Sequence, residues 1–168
     1  MLKKMIFEFN IYKSPLIAAA NKNNSEILNI LIDKLGNEII DNCFKGCHKL
    51  KRIKIPPSIT SIGKSAFYGC TSLMQIEIPS SVKSISSYAF FKCSSLTQIE
   101  IPSSITSIGN VIFDRCSSLT KIIIPSSVKS IGNYAFNGCS SLKQIEIPSS
   151  VISIGHFAFS ECSSLKEI

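Results

Sequence analysis

The amino-acid sequence predicts an α/β repeat solenoid, a coil of short parallel β-strands preceded by a small helical cap. Three observations predict it. One residue pattern returns every 23 positions, without insertion or deletion, from Ile39 to Ile168. Within each unit, isoleucines alternate with polar residues over a strand-length segment. Residues 1–36 fall outside the pattern and carry helical spacing instead. A fixed period of this length means stacked coils, each covering its neighbour's apolar side.

The register is set by several columns at once. Cys47, Cys70, Cys93, Cys116, Cys139 and Cys162 stand 23 residues apart, as do Phe44 through Phe159 and Leu50 through Leu165. Prolines recur at 56, 79, 102, 125 and 148. In the unit CSSLTQIEIPSSITSIGNVIFDR, Ile99 and Ile101 flank Glu100, which is strand alternation with isoleucine inward. Pro102 ends that strand, because proline cannot donate to a continuing ladder. Ser103 and Ser104 form a corner, and Ile105 to Ile108 form a second extended side. Gly109 allows the backbone to turn, and the remaining NVIFDR is long enough for one helical or 3₁₀ turn. The expected strands are Ile53–Ile55, Ile76–Ile78, Ile99–Ile101, Ile122–Ile124 and Ile145–Ile147, parallel in one sheet.

The pattern CxxLxxIxIPxxVxxIGxxAFxxC resembles the BspA-like class of leucine-rich repeats. The resemblance covers residues 37–168, five complete units with a partial one at either end. Ser86 departs from it in place of the turn glycine, Ile112 in place of the alanine, and Cys43 sits at that alanine position in the first partial unit. The resemblance implies a curved parallel solenoid whose strand face binds other macromolecules. It also implies a relation to surface proteins and adhesins of bacteria and parasitic protists.

The first 36 residues read differently. Ser14-Pro15 is a helix start with serine as N-cap, and Leu16 to Ala20 make a short apolar helix. Ser25 caps a second helix that carries Ile27, Leu28, Leu31, Ile32 and Leu35 and ends at Gly36. SPLIAAANKNNSEILNILI is similar to one ankyrin repeat, with Ile17 and Asn23-Asn24 departing from it. One such unit cannot bury its own face, so residues 1–36 are expected to cap a solenoid of residues 37–168. Leu2, Met5, Ile6 and Phe9 could add one amphipathic turn.

Composition narrows the function. With 168 residues, 45% hydrophobic and 17% charged, the chain suits one packed domain. It contains no apolar run of membrane-spanning length and no secretory signal, so a cytoplasmic location is the default and a cell-surface one follows if the family resemblance holds. Seven cysteines, an odd number, favour thiols over a disulfide framework. The six ladder cysteines form a straight column, which does not converge on a tetrahedral metal, so they are expected to be reduced and buried. His48 and His156 fall at different offsets with no partner for a triad. No phosphate-binding glycine loop or zinc-protease motif occurs. The expectation is a protein that is not an enzyme, with no cofactor and no metal.

Two surfaces remain. The net charge is +7, and the unit 47–69 holds Lys49, Lys51, Arg52, Lys54 and Lys64 with no acid. Lys49, Lys51, Arg52 and Lys54 are thus candidate anion-binding residues, although the lack of interleaved aromatics weighs against nucleic acid. The outward strand columns supply the candidate partner-binding residues Gln75, Glu77, Gln98, Glu100, Lys121, Ile123, Gln144 and Glu146. Ile123 is apolar where other units place charge, and Glu77 and Glu100 repel as neighbours. The function expected first is a protein–protein interaction scaffold using this face; the alternatives are a surface antigen or adhesin and an anion-binding module. The partner is expected to be a protein. The sequence stops at Ile168 with no polar cap, so either a longer array or end-to-end self-association is expected.

Overall fold

The computed structural model describes residues 15–166. The Ser14 cap, the turn through Leu2 to Phe9, and Ile168 lie outside the described residues. Residues 15–21 form helix α1 and Ser25–Asp33 form α2. The N-cap of α2 is Asn24, one residue earlier than expected. Its side chain accepts the Ile27 N–H at 3.0 Å and so satisfies an orphan donor of the first turn, leaving Ser25 inside the helix. Leu16, Ala20, Leu28 and Ile32 are fully buried and belong to the same apolar cluster as the coils that follow.

Each coil has two extended sides. One carries β2 (Arg52–Lys54), β4 (Gln75–Glu77), β6 (Gln98–Glu100) and β8 (Lys121–Ile123). The other carries β1 (Glu38–Ile39), β3 (Ser61–Ile62), β5 (Ser84–Ile85), β7 (Ser107–Ile108), β9 (Ser130–Ile131) and β10 (Ser153–Ile154). All pairings are parallel and in register by one period, for example Ile53 with Ile76 and Ile108 with Ile131. The first set lies one residue earlier than the sequence suggested. The ladder stops at the isoleucine before the proline, because the proline has no N–H to extend it, although Ile55 N–H still donates to Glu77 O at 2.9 Å. The expected strand Ile145–Ile147 is reduced to a single bridge at Gln144. Residues 167 and 168, one period beyond that segment's start, lie outside the described residues.

The third side is not the helical corner expected. It is a run of turns in which two residues per coil adopt left-handed backbone, including Tyr88 (φ 63°), Val111 (φ 59°), Lys92 (φ 58°) and Arg115 (φ 61°). That conformation aims amide groups at the next coil: Val111 N–H donates to Asn133 O at 2.9 Å and Phe113 N–H to Ala135 O at 2.8 Å. Inter-coil bonds thus replace the bonds a helix would make.

Inside, Phe44, Phe67, Phe90, Phe113, Phe136 and Phe159 stack with ring centroids 5.1 to 5.5 Å apart and planes within 14°. The corner serines bond to backbone as expected, but to the preceding coil: Ser81 to Ile59 O at 2.8 Å and Ser127 to Ile105 O at 2.6 Å.

The strands do not make one sheet per side. Among the described residues no ladder joins β4 to β6 or β5 to β7, so both sides break between the coils of residues 70–92 and 93–115. The corner stays closed there, with Phe90 N–H on Ile112 O at 3.0 Å and Lys92 N–H on Asp114 O at 2.9 Å. Two of the three departures from the repeat, Ser86 and Ile112, sit at this seam. A β-carbon on Gly132 would lie 2.5 Å from Asn110 Oδ1 and 2.7 Å from the Gly109 carbonyl carbon. The pattern's glycine therefore serves close approach of coils and not a special φ, contrary to the turn role expected for Gly109. Ser86 brings a β-carbon to that position. A β-carbon on Gly109 would have its nearest neighbour at 3.6 Å, the Cδ1 of Ile112, with Ile85 O and Ser87 N at 3.7 and 3.8 Å. Ile112 is buried where Ala66, Ala89, Ala135 and Ala158 stand in other coils. Added volume holds the two coils apart.

Candidate interaction surface

On the strand face, the isoleucine of each β-triplet points inward and its two neighbours point out, so residues one period apart form outward columns about 4.8 Å per step. Gln75, Glu77, Gln98, Glu100, Lys121 and Ile123 line one groove of about 520 Å³ that lies over the seam. A second hollow of about 300 Å³ continues from Lys121 and Ile123 to Gln144 and Glu146. All eight predicted partner-binding residues therefore meet on one face. Ile123 is 59% exposed, the cost that a lone apolar side chain in a polar column pays to water.

The charges on this face are unequally matched. Lys54 Nζ lies 3.5 Å from Glu77 Oε2, the one ion pair among the described residues. Glu100 and Glu146, on either side of Ile123, have no such partner. Like charge at Glu77 and Glu100 adds to the separation of β4 from β6, since these side chains would face each other across a closed ladder.

The basic first unit is divided. Lys49, Lys51, Arg52 and Lys54 are exposed near the strand side, but Lys64 sits on the corner with its ammonium 6.0 Å from the Tyr88 ring. The structure also supplies the aromatics that the linear sequence seemed to lack. Tyr68 and Phe91 meet at 4.8 Å with planes tilted by 34°, Tyr88 meets Phe91 edge-on at 5.9 Å, and Lys45 and Lys92 lie 4.9 and 5.3 Å from ring centroids. Reading the column one position after the core phenylalanines would have found most of them.

Asn23 was missed as well. In left-handed backbone (φ 52°), its Oδ1 accepts the N–H groups of Lys51 at 2.9 Å and Arg52 at 3.4 Å. The equivalent donor one coil later, Met74 N–H, is met by Lys51 O at 2.9 Å. The Asn23 side chain thus stands in for the carbonyl of a preceding coil.

The cysteine column is chemically quiet. Cys70, Cys93, Cys116 and Cys139 are buried and donate to the carbonyls of Phe44, Phe67, Phe90 and Phe113 at 3.1 to 3.3 Å. Burial pushes Cys47 up to about 11 and raises the others of the column as well. Cys162 departs from expectation in being only half-buried, since no described coil covers it. Among the described residues no three histidine, cysteine or carboxylate side chains are grouped to hold a metal.

The columns, the two extended sides and the turn-built corner match one family. Residues 19–143 fit the model for the BspA type leucine rich repeat region in six copies. The chain belongs to that family. The match starts inside the helical segment, upstream of residue 37. Among solved structures, a leucine rich cell surface protein of Faecalibacterium prausnitzii is 42% identical with a TM-score of 0.73, over 77% of this chain and 35% of that one. A T. pallidum leucine rich repeat protein is 33% identical with a TM-score of 0.65, over 77% and 72%. The pneumococcal vaccine antigen PcpA is 27% identical with a TM-score of 0.55, over 79% and 42%. The chain thus spans about a third to two fifths of two of these relatives. A comparison with curated protein sequences finds no significant match. No helix among the described residues is long and apolar enough to cross a membrane.

Proposed function

We propose that this chain is a non-catalytic scaffold for protein–protein interaction that binds through its strand face. The observation that carries the reading is Ile123, exposed at the junction of two adjoining hollows and ringed by hydrogen-bonding and charged side chains. An apolar anchor inside a polar rim is the composition of an interface centre. The test is a pull-down with mass spectrometry, comparing the wild type with a Glu100→Lys/Ile123→Asp variant of equal thermal stability. Proteins lost with the variant support the strand face; an identical set from both places the interface elsewhere.

A second reading, a surface antigen or adhesin, draws support from relatives described as a cell surface protein and a vaccine antigen. Biotinylation of intact cells separates it from an interior scaffold. The third, an anion-binding module at Lys49, Lys51, Arg52 and Lys54, predicts retention on heparin resin that is lost at moderate salt. It is weakened by the pairing of Lys54 with Glu77. We read residues 1–36 as an ankyrin-like cap on a solenoid of residues 37–168. Supporting this are the two helices and the Asn23 contact that completes the first ladder.

A further inference from the structure

Resting on the strand-face reading, we propose that the strand face around Ile123 accepts an extended polypeptide segment in which an apolar side chain stands between two basic ones on the same face. Three observations converge on that chemistry. Ile123 is the exposed apolar point of the groove floor. Glu100 precedes it by one coil and Glu146 follows it by one coil, both exposed and neither in an ion pair. Glu77, the next carboxylate along the column, is already engaged by Lys54 at 3.5 Å, so the unmet negative charge is concentrated around Ile123.

The dimensions fit an extended chain. Two steps of about 4.8 Å separate Glu100 from Glu146, roughly 10 Å. Lysine or arginine side chains flanking one apolar residue reach across that span. Among the described residues the ladders on this face join only β2 to β4 and β6 to β8, so backbone groups are left over on both flanks of the β6–β8 pair that carries Glu100 and Ile123. Between β4 and β6 this face is crossed by two long bonds, from Thr97 N–H and Thr97 Oγ1 to Met74 O at 3.5 and 3.4 Å. A bound main chain can use the groups left over.

The test uses the full chain, ¹⁵N-labelled, titrated at low salt with two capped synthetic peptides, Lys-Ser-Leu-Ser-Lys and Glu-Ser-Leu-Ser-Glu, whose first, third and fifth side chains share one face when extended. Saturable shifts at residues 98–100, 121–123 and 144–146 with the lysine peptide alone support the proposal. Glu100→Gln/Glu146→Gln should then weaken that binding at least tenfold, and Ile123→Ser at least threefold. All three sites are exposed, and an unchanged melting temperature shows that the fold is retained. Binding of the glutamate peptide to the same residues would overturn the charge assignment while leaving the strand-face reading intact. Saturable shifts confined to the corner or to residues 49–54 would overturn both. No shifts with either peptide would overturn this proposal alone, since the face could still take a folded partner.

Discussion

A buried thiol in this fold is a stability device with a pH limit. From Cys70 to Cys162 the column cysteines donate to a carbonyl of the coil before, and burial holds the column neutral. Above about pH 8.5 an unfolded chain ionises its thiols while the folded chain keeps them protonated. Stability present below that pH is therefore lost as pH rises through the folded values, about 11 for Cys47. Each buried thiol contributes a fall of up to about 1.4 kcal/mol per pH unit in that window. The melting temperature should be flat from pH 6 to 8 and drop steeply above 9, and a Cys93→Ala/Cys116→Ala variant should show the shallower slope. Equal slopes would mean that the thiols do not set the alkaline limit. Left-handed backbone is a second feature at this scale. Val111 holds φ 59°, where a β-branched side chain is most penalised. Val111→Asn should raise stability by roughly 1 kcal/mol in thermal denaturation, since asparagine tolerates that conformation.

Coil-to-coil contact is governed by volume at one position per unit. Gly132→Ala would drive a methyl to within 2.5 Å of Asn110 Oδ1 and 2.7 Å of backbone, and should cost at least about 2 kcal/mol. Gly109→Ala meets nothing nearer than 3.6 Å and should cost less than about 1 kcal/mol. Chemical denaturation of the two variants checks the pair; similar costs would show that the seam is no wider than other junctions. The strand faces, the inward isoleucines and the cysteine and phenylalanine columns were legible in the sequence because each recurs at a fixed offset. The eight strand-face candidates were legible for the same reason. What the repeat could not show was the effect of single departures. Ser86 and Ile112 look like tolerated exceptions until their volumes are placed against Gly109 and the neighbouring coil. Asn23 was hidden because its role depends on a left-handed backbone outside the repeat. The aromatic–lysine patch was hidden because Tyr68, Tyr88 and Phe91 meet only after coiling.

At the scale of the molecule, a solenoid couples each coil only to its neighbours, so a weak junction divides its cooperativity. Across the seam the chain keeps the Phe90–Phe113 stack at 5.5 Å and the corner bonds, but lacks both strand ladders. The coils before residue 93 are further tied to the helical segment, through Asn23 in the turn before α2 to Lys51 and through Asp33 of α2 to Ser58, at 2.9 Å each. The coils after it expose Ile152, Ile154 and Phe157 at the last described turn. Stability should therefore be higher before the seam than after it. Phe136 is fully buried between Phe113 and Phe159, and Phe136→Ala removes about 3–5 kcal/mol of packing. If the seam divides the molecule, that loss stays on one side. Hydrogen-exchange protection of amides from 116 to 158 should fall by a factor of at least about 100, as each 1.4 kcal/mol is tenfold. Amides from 39 to 85 should stay within about threefold of wild type, because the missing ladders leave too little coupling to transmit the change. The Ser86→Gly/Ile112→Ala background, which removes the added volume, is expected to restore coupling and spread the loss to both sides. An equal fall throughout the single variant would show that the phenylalanine stack alone unites the coils and that the seam is only a local gap in the strands.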